Sequence, residues 1–154
     1  MFEWLFFSVP EAIVILCLAL SILGERTTIL KLIGIGSVLS LLIYTTRIIT
    51  GSFILNIFIS GLIVVLLIKT VTSTPFSEAA ASGLLAISSY LSIEFVNVKI
   101  WQMLSGVNPA KIEQDLYLKI AWFSSQIIVI LILQFVIGHF TRGKRELKYE
   151  NKYL

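Results

Sequence analysis

An uninterrupted apolar run near the C-terminus restricts this chain to a small set of folds. Residues Ile120–Gly138 contain no Asp, Glu, Lys or Arg. A helix needs about 20 predominantly apolar residues to cross the roughly 30 Å hydrocarbon core of a bilayer, and this run provides them. Backbone amides find no water to bond in lipid, so a segment that spans the bilayer must satisfy them internally. The run therefore predicts a transmembrane helix.

The composition of the whole chain agrees with a membrane protein. Hydrophobic residues make up 57% of the 154 residues and charged residues only 14%. A soluble protein has about 25% charged residues, so the surplus apolar surface requires a bilayer as its solvent. The net charge is +3, but no basic surface with interleaved aromatic residues lies outside the apolar runs, so nucleic acid is not an expected partner.

Five apolar segments have the length and composition of membrane-spanning helices. They cover approximately residues 9–23, 30–49, 53–68, 77–98 and 120–140. Gly24 is a typical residue after a helix C-terminus, and Gly51-Ser52 is a turn short enough to make the second and third spans an antiparallel hairpin. We therefore predict an all-α, polytopic membrane protein with a transmembrane domain over 1–141 and a basic juxtamembrane tail over 142–154.

The distribution of basic residues predicts the orientation of the chain. Lys and Arg are costly to translocate and accumulate on the cytoplasmic side. With the basic tail inside, eight of them fall on the inner side: Arg26, Lys31, Lys69, Arg142, Lys144, Arg145, Lys148 and Lys152. Four fall on the outer side: Arg47, Lys99, Lys111 and Lys119. The chain is thus expected to be a multi-pass protein of the cell membrane, with its N-terminus outside and its C-terminus inside.

A few polar residues interrupt the apolar segments at a similar height, towards the outer side in this orientation. They are Glu11, Arg47, Asn56, Glu94 and Gln126. A charge in the middle of the membrane costs roughly 2.5–3.5 kcal/mol, so such residues usually face a partner or a water-filled cavity. These residues predict a polar pocket between helices, open to the outside and able to bind a small molecule or a peptide.

Structural roles are an alternative explanation for the same residues. The segment Ser8-Val-Pro-Glu11 matches a capping box, in which the glutamate bonds the N-cap amide, and we favour that role for Glu11 over ligand binding. Arg47 can extend its long side chain to the lipid headgroups, or it can pair with Glu94 or Glu11. Glu94 is the strongest candidate for ligand binding, since its side chain is too short to extend far towards the lipid headgroups.

The sequence does not predict an enzyme. Cys17 and His139 would have to lie within hydrogen-bonding distance to form a cysteine-peptidase site, but Cys17 falls in the middle of one span and His139 at the inner end of another. A single cysteine excludes multi-cysteine metal sites, so no metal and no cofactor are expected. Gly34-Ile-Gly36 and Ala79–Gly83 lack the context of a phosphate loop and are typical of closely packed helices.

The overall layout is similar to that of a known family of sensors. Phe6-Phe-Ser-Val-Pro-Glu-Ala12 opens a short first span, several compact spans follow, and a basic tail begins a helix. This arrangement resembles the N-terminal membrane sensor region of Gram-positive, peptide-responsive (quorum-type) histidine kinases. The resemblance implies a bacterial sensor that binds a ligand and forms a homodimer. The resemblance does not extend to the kinase domain, because the tail has no phospho-acceptor histidine and the chain has no Gly-rich nucleotide site.

Three functional hypotheses follow from the sequence. The first is a sensor or regulatory module that binds an external ligand and signals through the last helix to the cytoplasmic tail. The second is a small subunit of a transporter or channel, with Glu94, Arg47 and Asn56 along a path. It ranks lower, because the inner halves of the first, third and fifth spans are nearly all apolar. The third is a structural subunit beside larger membrane partners. In each case we expect a homo-oligomer or a larger complex within the lipid bilayer.

Overall fold

Helices account for nearly all of the chain that the computed structural model describes, which is residues 4–25, 27–106, 112 and 114–150. The long helices are α1 (Val9–Leu23), α2 (Ile29–Thr50), α3 (Phe53–Val71), α4 (Phe76–Ser105) and α5 (Leu116–Glu150). A π-helical turn, Trp4–Ser8, leads into α1. No strand occurs in these described ranges, as expected where lipid offers no hydrogen-bond partners to an open sheet edge.

All five predicted spans are confirmed as helices that are long and apolar enough to cross a membrane. The boundaries of the first three agree with the prediction within three residues. α4 ends at Ser105 instead of 98, and α5 runs from Leu116 to Glu150 instead of from 120 to 140. The polar residues after 98 end the apolar run but not the helix. The helix ends at Gly106, whose φ of 62° lies in the left-handed region that glycine tolerates.

The backbone of the predicted basic tail continues the last helix. α5 has no break between the membrane-spanning part, Leu116–Thr141, and its end at Glu150. Lys152 at the end of the tail, and the loop residues Arg26 and Lys111, lie outside the described residues. The orientation of the termini across the membrane stays a prediction.

The first and shortest of these helices lies at the centre of the bundle. α1 packs against each of the other four helices, whereas those four pack mainly against their neighbours in the chain: α2 on α3, α3 on α4, and α4 on α5. They therefore form an arc around α1, with α2 and α5 at its two ends. Most side chains of α1 are buried, including Ala12, Val14, Ile15, Leu16, Leu18, Ala19 and Leu20.

A glycine permits the close approach of α2 to this central helix. A Cβ atom on Gly36 would collide with the Ile13 side chain and would lie 3.3 Å from the Ile13 Cα atom. A Cβ atom on Gly34 would meet no described atom within 4 Å. The prediction of close packing is thus confirmed for Gly36 and is wrong for Gly34. It also holds for Ala79–Gly83, because a Cβ atom on Gly83 would lie only 3.1 Å from the Val65 side chain on α3, which is a tight contact.

We expect Gly36→Ala to destabilise the protein by about 1–3 kcal/mol, as overpacking of a tight contact does. The added methyl group must push the backbones of α1 and α2 apart, because the obstructing atoms include the main chain of Ile13. The measurement is the midpoint of thermal unfolding of the purified protein in detergent. Gly34→Ala is the matched control and should leave the midpoint unchanged or slightly higher. Equal losses in both variants would contradict the proposed contact.

Candidate functional site

The polar residues singled out in the sequence lie at one end of the helix bundle. Glu11 is in the first turn of α1 and Arg47 is in the last turn of α2. Asn56 is in the first turn of α3, so it lies at the same height as Arg47 across the short turn between α2 and α3. Glu94 and Gln126 lie further along the longer helices α4 and α5. Because successive helices reverse direction, these five positions meet at one level.

Two contacts of α5 establish these directions, one with the π-helical turn that leads into α1 and one with α1 itself. The rings of Phe7 and Phe123 meet edge to face, with 5.1 Å between their centroids and an interplanar angle of 82°. At the other end of the bundle, the Thr141 hydroxyl donates a hydrogen bond of 2.8 Å to the Ser21 carbonyl. Helices α1 and α5 are therefore parallel, and the N-terminal parts of both lie at the end that carries the polar residues.

Electrostatic contacts connect the charged members of this set. The Glu11 carboxylate lies close enough to interact with Glu94 and with Arg47, and Glu94 also interacts with Arg47. The hydroxyl of Tyr90 lies near both the Glu11 carboxylate, to which it can donate a hydrogen bond, and the Gln126 amide. We call Glu11, Arg47, Tyr90, Glu94 and Gln126 the polar cluster. It joins α1, α2, α4 and α5.

Tyr90 is the member of the polar cluster that was not among the predicted ligand-binding residues. Its side chain is only 4% exposed, and it links the carboxylate on α1 to the amide on α5. The signal was its spacing, because Tyr90 precedes Glu94 by one helical turn and residues four apart share a face of a helix. Asn56, by contrast, lies at the right height, but no described contact connects it to the polar cluster.

Gln126 contributes hydrogen-bonding capacity that the protein does not use. Its side chain is 0% exposed. Although Tyr90 faces the amide, neither the amide nitrogen nor its oxygen completes a hydrogen bond within the described residues. The Asn56 amide oxygen is also buried without a hydrogen bond there. Buried polar atoms nearly always have a partner, so each exception requires an explanation. Among the described residues, the Gln126 amide thus keeps hydrogen-bonding capacity that is not used.

The polar cluster extends from the surface of the bundle to its interior. Arg47 is exposed, Glu94 and Glu11 are partly buried, and Tyr90 and Gln126 are buried. With both carboxylates ionised, the two glutamates outweigh the single guanidinium by one negative charge. The side chains of the polar cluster are thus arranged from the exposed Arg47 and the partly buried Glu94 to the buried Gln126.

The capping-box interpretation of Glu11 is wrong. Ser8 has a helical backbone, with φ of −74° and ψ of −31°, and its side chain makes no capping hydrogen bond among the described residues. The π-helical turn before Ser8 continues into α1, so the amides of the first turn follow a helical segment and do not face solvent as free donors. Glu11 is directed instead towards Tyr90, Glu94 and Arg47.

A second polar network lies next to the polar cluster, and the sequence analysis missed it. The Asn97 side-chain amide donates a hydrogen bond of 3.0 Å to the Trp122 carbonyl. The Ser125 hydroxyl donates to the Asn97 amide oxygen at 3.0 Å, and the Trp101 indole donates to the Ser125 hydroxyl at 3.1 Å. These bonds join α4 to α5. Since each member has a partner, the network serves to hold the two helices together.

The two residues considered for cysteine-peptidase chemistry make separate contacts. Cys17 on α1 interacts with the side chain of Gln134 on α5. The His139 ring packs edge to face against the Phe140 ring, with 5.9 Å between centroids. Within the described ranges, no three His, Cys, Asp or Glu side chains are grouped as they would be around a metal ion.

Comparisons of the chain with protein-family models, with curated proteins and with solved structures found no match. The resemblance to the sensor region of histidine kinases therefore stays a prediction that rests on residues 6–12 and on the layout of the spans. A function is therefore inferred from the polar cluster together with the helices that connect to it.

Replacing Gln126 and Asn97 with leucine should have opposite effects on stability. Gln126→Leu removes two unpaired buried polar atoms at similar volume, and we expect a gain of about 1 kcal/mol in the free energy of unfolding. Asn97→Leu breaks bonds that are made, and should cost about 1 kcal/mol, as interhelical hydrogen bonds in membranes do. Thermal unfolding of both variants in detergent measures the difference. Similar losses in both would mean that the Gln126 amide is already satisfied.

Proposed function

We propose that the protein is a sensor or regulatory module of the cell membrane, which binds a ligand at the polar cluster from the outer side and signals through α5. The observation that carries this proposal is the continuity of α5. This helix holds Gln126 in the polar cluster and continues without a break to Glu150, about 36 Å further along at 1.5 Å per residue. A displacement at one end of such a rod is transmitted to the other.

The packing of the bundle supports α5 as the helix that moves. α1 is held from all sides by four helices, whereas α5 lies at the end of the arc and packs mainly on α1 and α4. A ligand among Glu11, Glu94 and Gln126 would contact all three of these helices. It would favour whichever position of α5 lets it bind more tightly, and that difference in affinity is the energy source of the signal.

A contact at the far end of the bundle offers a readout of this movement. The Thr141 hydroxyl bonds the Ser21 carbonyl, where α5 leaves the membrane-spanning region. A shift of α5 along or away from α1 would break this bond and expose Thr141, which is partly buried in the arrangement described here.

A transporter or channel subunit is the second candidate, and one observation favours it. Polar contacts join α1 and α5 at three heights: in the polar cluster, between Cys17 and Gln134, and between Ser21 and Thr141. The inner half of this interface is thus less apolar than the sequence alone indicated. Between the polar contacts, however, apolar side chains such as the fully buried Ile130 intervene, so we rank a continuous path below a sensor.

Neutralising the polar cluster should change the reactivity of a thiol at the far end of α5. The test uses Thr141→Cys in a Cys17→Ala background and measures its rate of alkylation with and without Glu11→Gln and Glu94→Gln. We expect a change of at least about threefold, which corresponds to a population shift of about 0.65 kcal/mol or more. Glu78→Gln, at the opposite end of α4, is the matched control and should have no effect. Equal rates in all variants would argue against transmission through α5.

The orientation can be measured with alkaline phosphatase, which is active only after export. A fusion after Leu154 should be inactive, because the basic residues of the tail hold it in the cytoplasm. A fusion after Gly51, in the turn between α2 and α3, should be active. The reverse pattern would place the polar cluster on the cytoplasmic side and would overturn the proposal of an external ligand.

A further inference from the structure

We infer that the polar cluster binds the ammonium group of an amine, either a small organic amine or the amino terminus of a peptide. This inference rests on the proposed function and specifies the chemical class of its ligand. Three properties of the polar cluster lead to it: its balance of charge, its unused hydrogen-bond acceptors and its position within the membrane-spanning helices.

The balance of charge favours a cation when both carboxylates are ionised. Glu11 and Glu94 interact with each other and share Arg47 as their positive neighbour. Arg47 is exposed at the surface of the bundle, whereas Glu11 is directed inward to Tyr90. A carboxylate within a membrane span needs a partner to offset the loss of hydration. Arg47 balances one of the two carboxylates. A single positive charge placed between Glu11 and Glu94 would balance the other, and an anion would be repelled by both carboxylates.

The hydrogen-bond acceptors identify an ammonium group as that cation. An ammonium carries three N–H donors and no acceptor. The carboxylates of Glu11 and Glu94 and the amide oxygen of Gln126 are acceptors on three different helices. Gln126 is the independent observation here, since its fully buried amide has no completed hydrogen bond among the described residues and faces Tyr90, which bonds Glu11.

A divalent metal ion fits the site less well. Such ions prefer several carboxylate or carbonyl oxygens in a regular arrangement. In the described part of the chain, no group of three metal-binding acidic, histidine or cysteine side chains is present. The adjacent guanidinium of Arg47 would also oppose a double positive charge. A singly charged ammonium needs only the one uncompensated carboxylate and the acceptors already in place.

The test is the thermal unfolding of the full chain in detergent during titration with n-butylammonium chloride. A ligand that binds only the folded protein raises the midpoint in a saturable way. We expect such a rise with n-butylammonium and none with n-butanol, n-butyrate or sodium chloride at the same concentrations. A dipeptide amide with a free amino terminus, compared with its N-acetylated form, separates a peptide source of the ammonium from a small amine.

Variants test whether the rise in the unfolding midpoint comes from binding at the polar cluster. Glu94→Gln and Gln126→Leu should raise the apparent Kd at least about tenfold, since each removes an acceptor for a charged donor. Glu78→Gln should leave the Kd unchanged. Gln126→Leu keeps the test informative where a glutamate variant fails to fold, because it is expected to stabilise the protein.

Some results would overturn the inference. An equal rise with n-butanol would mean an unspecific apolar effect, and an equal rise with sodium chloride would mean that any monovalent cation suffices. No rise with any free amine would exclude the ligand class.

If the Thr141→Cys thiol still responded to neutralisation of the polar cluster, the sensor would stand and only its ligand would change. If amines bound but left that thiol unaffected, the binding site would stand without the proposed signalling.

Discussion

The absence of water as a hydrogen-bond partner is the constraint on which this structure depends. It makes every apolar segment helical, and it directs polar side chains away from lipid towards other helices. In this protein the polar side chains converge on α1, the helix that all the others surround. Glu11, Cys17 and the Ser21 carbonyl each meet a partner on α4 or α5. The same helix that fills the centre of the bundle therefore also makes several of its polar contacts, although the hydrogen bonds of Asn97 join α4 to α5 directly.

Two sides of α1 make different kinds of contact, close apolar packing on one and polar contacts on the other. On the side of α2, Gly36 removes a side chain so that the two backbones can approach. On the side of α5, the contacts include amide, hydroxyl and thiol groups. Apolar packing in a membrane is hard to rearrange because it depends on shape, whereas a polar contact can exchange one partner for another. This difference places the adjustable part of the bundle at the interface between α1 and α5.

The spans and the height of the polar residues could be predicted from the sequence, because both depend on position along a helix. What lies opposite a residue depends on the rotation of each helix and on its neighbours, and a single sequence does not contain this information. The contacts that Tyr90 and Asn97 make were therefore not predicted, and neither was the central position of α1. The role of Glu11 was misjudged for a local reason: a capping motif was inferred at Ser8, where the chain is already helical.

The central position of α1 has a consequence for how the protein is made. Helices of a membrane protein are synthesised in order, so the helix that ends up enclosed enters the bilayer before the four that surround it. Glu11 must wait for Tyr90 and Glu94 on α4, and Ser21 must wait for Thr141, which follows it by 120 residues. Contacts between such distant parts of a chain form late. The packing around α1 is thus complete only when α5 closes on it, and a nascent chain interrupted before α5 leaves one side of this central helix uncovered.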